Sequence, residues 1–301
     1  MASTTEGLTN GGLSPIPAST KRFTDGSQFK IEIPSVESPD LLRAVIDEAK
    51  ALNVPVHRVS QGSGIMLLLD EEIEEMLTTT RKSGIELCLF VGPRAEWDIG
   101  SQAFSSGGSA LAPALRGSNS LNHAVQEIIH AANLGLRCIL VADSGLLKVI
   151  QQLKSSGDLP SDLAVKTSAV LPSSNVATAR LLEDLGATSI NVSADLTIQD
   201  LAEIRQAVDA TIDVYIESPD YLGGLLRYYD IPEIVRVASP VFLKFGLRNA
   251  PSLYPFGKHL RESGIASVRE KVRRAAIGLA INERSPNTLS KTNRLKGGYS
   301  P

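Results

Sequence analysis

The chain has 301 residues, 43% of them apolar, and its 30 Lys and Arg against 33 Asp and Glu leave a formal charge of −3. That length can bury a sizeable core, and so small a charge gives no general pull toward nucleic acid or an anionic membrane. No apolar run approaches the roughly 20 residues that span a bilayer, and the first residues lack the apolar stretch of a secretory signal, so the cytoplasm is the expected compartment.

Residues 1–26 are rich in Ser, Thr, Gly and Pro and read as a disordered leader; residues 285–301 read the same way. Between them, over 27–284, strands and helices alternate. FKIEI (29–33) predicts a strand, and 38–53 a helix opened by Ser38 as N-cap with Pro39 at the first helical position. VPVHRVS (54–60) is a second strand, 69–84 a helix with an acidic first turn and a glycine stop, and IELCLFV (85–91) a third strand. A Gly/Ser/Ala-rich insertion, 92–118, carries Arg94, Trp97 and Asp98; loops of that length are lids or disordered, and these residues favour a lid.

The alternation resumes with a helix at 121–135 and a strand at 136–142, then a helix over 144–157 and a strand at 163–170. A helix at 174–186 and a strand at 188–193 follow, with a helix opening at Thr197. DVYIES and VFLKFGL supply strands seven and eight, and 267–282 a closing basic amphipathic helix. Eight β-then-α units of this size predict a single (β/α)8 TIM barrel. A doubly wound sheet would want a glycine fingerprint after its first strand, and IPSVESPD has none.

Strand alternation turns an unusually polar set inward: Lys30 and Glu32, Glu86 and Cys88, Lys166 and Ser168, Asn191 and Ser193, then Asp213, Tyr215 and Glu217, and Lys244. His57 or Arg58 and Asp143 join where the phase is ambiguous. Lys30, Glu86 and Asp213 lie early in their strands and are as well explained by mutual pairing as by function. Glu32, Lys166, Glu217 and Lys244 lie at strand ends, where barrel active sites form.

Arg248 and Asn249 in the loop after strand eight, with Gln61 in SQGSG, are candidate anion contacts; Arg58, Arg94, Trp97, Asn191 and Tyr215 complete the expected substrate contacts. Two mechanisms remain open. Glu32 and Glu217, with His57 or Asp143, can hold a divalent ion such as Mg or Mn that polarises a carbonyl while a lysine moves the proton. Alternatively Lys166 or Lys244 forms a Schiff base. Either way the expected activity is that of a lyase or isomerase on a small anionic carbonyl compound, carboxylated or phosphorylated. A peptidase- or amidase-like hydrolase and a non-catalytic ligand-binding subunit are the alternatives. A monomer and a homo-oligomer paired through 267–282 are both compatible with the chain.

The segments EIPSVESP, VHRVSQGSG, CLFVGPRAEWDIG, DVYIESPDYLGG and FLKFGLRNAPSLYP resemble a group of bacterial TIM-barrel proteins related to the collagenase-like peptidases of family U32. The resemblance implies the barrel over most of 29–280. The parent family has a hallmark cysteine motif, and its better understood members hold an iron–sulfur cluster on four cysteines. This chain has Cys88 and Cys138 alone, both in apolar runs and read as buried thiols, so no cluster is expected and no family catalytic residue is carried over.

Overall fold

The structure, a computed structural model, describes residues 16–92, 114–171 and 173–285. Eight parallel strands close in chain order into one barrel. They are β1 (Phe29–Pro34), β2 (Arg58–Ser60), β3 (Glu86–Phe90), β4 (Cys138–Val141), β5 (Ala164–Thr167), β6 (Ser189–Asn191), β7 (Thr211–Glu217) and β8 (Val241–Phe245). The helices are α1 (Pro39–Ala51), α2 (Asp70–Ser83), α3 (Gly117–Asn133), α4 (Ser144–Ser156), α5 (Val176–Asp184), α6 (Ile198–Ala207), α7 (Ile231–Ala238) and α8 (Arg261–Arg284). The (β/α)8 architecture expected from the alternation is therefore present. Among the described residues no helix is long and apolar enough to cross a membrane.

Local chemistry sets the boundaries. Ser38 accepts from the Leu41 N–H to open α1, and Asp143 does the same for α4 from the Leu146 N–H at 2.9 Å. Gly84 stops α2 in the left-handed region at φ 64°. β2 is shorter than its apolar run predicts: Pro55 has no N–H to offer, and the His57 ring Nδ1 takes the Ile31 N–H at 3.1 Å. α8 begins at Arg261 rather than Ser267, because Gly264 lets it approach α1; a Cβ there would stand 3.0 Å from Leu41.

The outward strand residues (Ile31, Ile33, Val59, Leu89, Ile139, Val165, Ile190, Val214, Leu243) pack with the inner helix faces into one continuous core. Inside the barrel the lining divides. Cys88, Phe90, Cys138, Leu140 and Ala142 form an apolar half on β3 and β4, and the other strands contribute the polar half.

Residues 16–26, part of the stretch read as a leader, lie against the N-terminal end of the barrel. The Phe23 ring meets Phe242 edge-on at 5.3 Å, and the Ser19 N–H donates to the Arg236 carbonyl at 2.8 Å. Residues 1–15 and 286–301 lie outside the described residues.

Candidate functional site

Register assembles the interior charges. Pairing puts Arg58 between Glu32 and Glu86, Lys244 beside Glu32, and Tyr215 beside Lys244. Lys166 bonds Glu32 and lies 3.1 Å from Asp213, and both its side chain and theirs have no exposed surface. Arg58 reaches Asp213 at 3.3 Å and Glu32 at 3.5 Å, bonds Glu86, and lies over the Phe242 ring. Lys244 donates to Asn191 Oδ1 at 2.9 Å, lies 3.7 Å from Glu32, and sits 4.2 Å from the Tyr215 ring centroid. Ser60 and Ser189 hydroxyls donate to Glu32 and Asp213 at 2.7 and 3.0 Å.

Three cations thus face three carboxylates. Burial alone would raise the Glu32 carboxyl, but Lys166, Lys244 and Arg58 together hold it well below the usual carboxylate range. Burial, and then the charges of Glu32 and Asp213, push the Tyr215 phenol up.

Above this cluster, where β1, β7 and β8 end, a cavity of about 260 Å³ opens at the C-terminal face. Tyr215 belongs to both, joining the charged interior to the cavity. Ser35, Tyr221, Tyr254 and Lys271 line its walls, with Asp220 at the β7 loop. Ser35 holds φ 62°, a conformation costly for a residue with a Cβ, and its hydroxyl meets the Tyr254 hydroxyl at 2.6 Å. Gly62 is required beside that wall, since a Cβ there would lie 2.7 Å from the Tyr254 ring.

The structure brings together Glu32, Lys166, Lys244, Arg58, Asn191 and Tyr215, along with Asp213. Glu217 is elsewhere. A register shift between Tyr215 and Glu217 pairs Glu217 with the outward Phe245 and turns its side chain out of the interior. There it accepts from the Tyr228 hydroxyl and, at 3.0 Å, from the Arg248 N–H, with Arg274 of α8 3.7 Å away. Asp143 is occupied by the Leu115 and Leu146 N–H groups at 3.0 and 2.9 Å. The three carboxylates expected to share a divalent ion, Glu32, Glu217 and Asp143, therefore do not gather. Among the described residues no group of three or more His, Cys, Asp or Glu is placed to hold one.

His57 lies at the opposite, N-terminal end, where burial first and then the Lys30 charge lower its pKa to about 4. Gln61 braces its own loop, accepting from the Gly64 and Phe90 N–H groups at 3.1 and 3.3 Å. The Arg248 side chain is 52% exposed, 3.9 Å from Asp220, and Asn249 donates its N–H to Asp220 at 2.8 Å. Arg94 and Trp97, with the expected lid, lie outside the described residues.

Lys271 was missed by strand reasoning because it comes from a helix. The signal was present: it falls on the same face as Val268, Val272 and Ala275, a charge on an otherwise buried stripe. That stripe packs on α1 and the barrel, so the apolar side of α8 is covered within the chain.

A model of Peptidase family U32 matches residues 113–218, from the start of α3 through β7. Part of the chain resembles the U32 peptidases. A solved U32 peptidase, Mk0906, is 16% identical with a TM-score of 0.42, covering 79% of this chain and 97% of that one. The putative copper homeostasis protein CutC from Streptococcus agalactiae is 13% identical, TM-score 0.48, over 71% of this chain and 98% of its own. The YdjI aldolase from Escherichia coli K12 is 14% identical, TM-score 0.48, over 84% and 91%. No curated protein matches the sequence. The iron–sulfur cluster of better understood U32 members does not fit this chain: two buried thiols on β3 and β4 cannot supply four ligands.

Proposed function

We propose that this barrel is a lyase or isomerase acting on a small carbonyl compound, carboxylated or phosphorylated, at its C-terminal mouth. The observation that carries the reading is the cavity over β1, β7 and β8, which places a buried amine and two bonded hydroxyls above a floor of fixed charges. Lyase and isomerase steps move a proton or break a bond next to a carbonyl, and each needs an electron sink and a group to carry the proton. An amine supplies the sink without a metal, and the dispersal of Glu32, Glu217 and Asp143 favours this version over the metal version.

The interior cluster, on this reading, holds the cavity floor rigid and polar. Its three cations are matched by three carboxylates, so the floor is polar without excess charge, and Lys244, 4.2 Å from the Tyr215 ring, is the cation of the set that adjoins a residue of the cavity wall. The test is incubation of the full chain in D₂O with a panel of 2-keto acids and phosphorylated ketoses, followed by NMR. Deuterium entering the carbon next to the carbonyl, or cleavage there, is the expected result; no exchange and no cleavage with any member refutes the reading. The match of residues 113–218 to a peptidase family favours amide hydrolysis as a second reading, and release of amines from a peptide library would select it.

A further inference from the structure

The buried ionisable group that the interior network leaves out is Lys271. Its residue is 4% exposed, and its Nζ donates to the Pro34 carbonyl at 2.8 Å. Lys166 and Lys244 are ion-paired with Glu32, and a charge-paired ammonium has no lone pair to offer. Lys271 differs: among the described residues it forms no ion pair, and the charge of Glu37 reaches it only at longer range. Glu37 is itself bonded by the Gly62 and Ser63 N–H groups at 2.8 and 2.9 Å.

We propose that Lys271 is a carbonyl-reacting amine that condenses with a small aldehyde or ketone held in the cavity to form an imine. This deepens the function proposed above, on which it rests, by naming the amine and the bond it makes. The Nζ lone pair attacks the carbonyl carbon, a C–N bond forms, and the carbonyl electron pair moves to oxygen. The nitrogen gives up its two protons in turn and that oxygen takes up two, so that it leaves as water while the nitrogen lone pair closes the C=N bond; one amine and one carbonyl yield one imine and one water. The protonated imine then accepts electrons from a neighbouring C–H or C–C bond.

Three features support the assignment. Burial pulls the Lys271 ammonium down to about 8, with Glu37 opposing, so a useful fraction is neutral near pH 7. The Pro34 carbonyl, at a turn fixed by the left-handed Ser35, holds Nζ in place, while the Ser35 and Tyr254 hydroxyls offer a proton relay in the same cavity. The volume of about 260 Å³ equals that of about nine waters at ~30 Å³ each, enough for a three- to six-carbon substrate.

The experiment treats the full chain with sodium borohydride and either pyruvate or propanal, then maps adducts by digestion and mass spectrometry. At pH 7 an amine titrating near 8 is neutral roughly two hundred times more often than an ordinary lysine at ~10.4. The expected adduct is therefore on Lys271, at least tenfold above that on exposed Lys50, and absent in Lys271→Met. Because the wild-type map locates the adduct directly, the test stands even if that variant folds poorly. An adduct on Lys166 or Lys244 instead overturns the role of Lys271 while leaving an amine-dependent lyase intact. No adduct on any lysine of a chain that still exchanges substrate protons in D₂O overturns the imine alone; no adduct and no exchange overturn both.

Discussion

Lys166→Ala tests whether the barrel interior is a closed set of compensated charges. Lys166 is fully buried between Glu32 and Asp213, with Arg58 and Lys244 as their remaining cations. Truncation removes three methylenes, about 2 kcal/mol at ~0.8 each, and leaves the cluster one positive charge short. The charge penalty has a ceiling, because a stranded carboxylate can take a proton from solvent. At pH 7 that costs about 1.4 kcal/mol for each of the ~2.7 units between pH 7 and an ordinary Glu value of ~4.3, or about 4 kcal/mol. This falls within the ~3–5 kcal/mol found when one partner of a buried pair is removed.

Lys166→Ala should therefore lose about 6 kcal/mol at pH 7, and Lys166→Met, which keeps the packing, about 4. The sign with pH follows. In the wild type Glu32 is held below the usual range, so its contribution is present above the unfolded pKa and lost as pH falls through the folded one. In the variant the stranded carboxyl is raised instead, so acidification spares it, and the gap between the two proteins narrows to about 1 kcal/mol of charge penalty at pH 5. Urea unfolding followed by circular dichroism at pH 7 and pH 5 measures both. A loss under about 1 kcal/mol, or a gap that does not change with pH, would refute the compensated-cluster account.

Other consequences are as specific. Glu127, whose carboxylate accepts from the Gly92 N–H at 3.0 Å, is raised by burial to about 7; its stabilising contribution is full below pH 4.5 and lost as pH rises through 7, so Glu127→Gln should flatten that part of the urea-midpoint profile. Glu217→Gln should lower stability by about 1–3 kcal/mol in thermal unfolding, through its weakened bonds with Tyr228 and the Arg248 N–H, while leaving turnover on any identified substrate within a few-fold. Gly62→Ala should displace the Tyr254 ring, which a Cβ would approach to 2.7 Å, costing about 1–3 kcal/mol and slowing borohydride trapping in the cavity several-fold.

The elements that follow simple periodicity were legible. Inward alternation placed Glu32, Lys166, Asn191, Tyr215 and Lys244 in one interior, because a parallel strand in a closed barrel has one face for the helices and one for the lumen; on strand two it left His57 and Arg58 as alternatives, of which the structure turns Arg58 inward. Where alternation breaks, the reading broke with it. Glu217 is two residues beyond Tyr215 and shares its face in an ideal strand. The irregularity opposite Lys244 and Phe245 spends one residue without advancing the partner, so the next side chain changes sides. No residue in DVYIES announces that shift, since its cause is tertiary: Gly246 closes on the Glu217 carbonyl, with its N–H donating there at 2.8 Å, and a Cβ on Gly246 would stand 2.6 Å from that oxygen.

Groups borne on helices and loops escape strand alternation for a different reason. Strand periodicity reports only on strand residues, and Lys271 and Tyr254 arrive from α8 and the loop before it. The polar lumen that strand alternation predicts is also the part best explained by mutual charge compensation. Lys271 and the Ser35–Tyr254 hydroxyl pair, outside that compensated set, stand one layer higher, where Pro34 of β1, Tyr215 of β7 and Lys271 of α8 converge on open space. The interior cluster meets that space through one contact: Lys244, held by Asn191 at 2.9 Å, lies 4.2 Å from the ring of Tyr215, which lines the cavity.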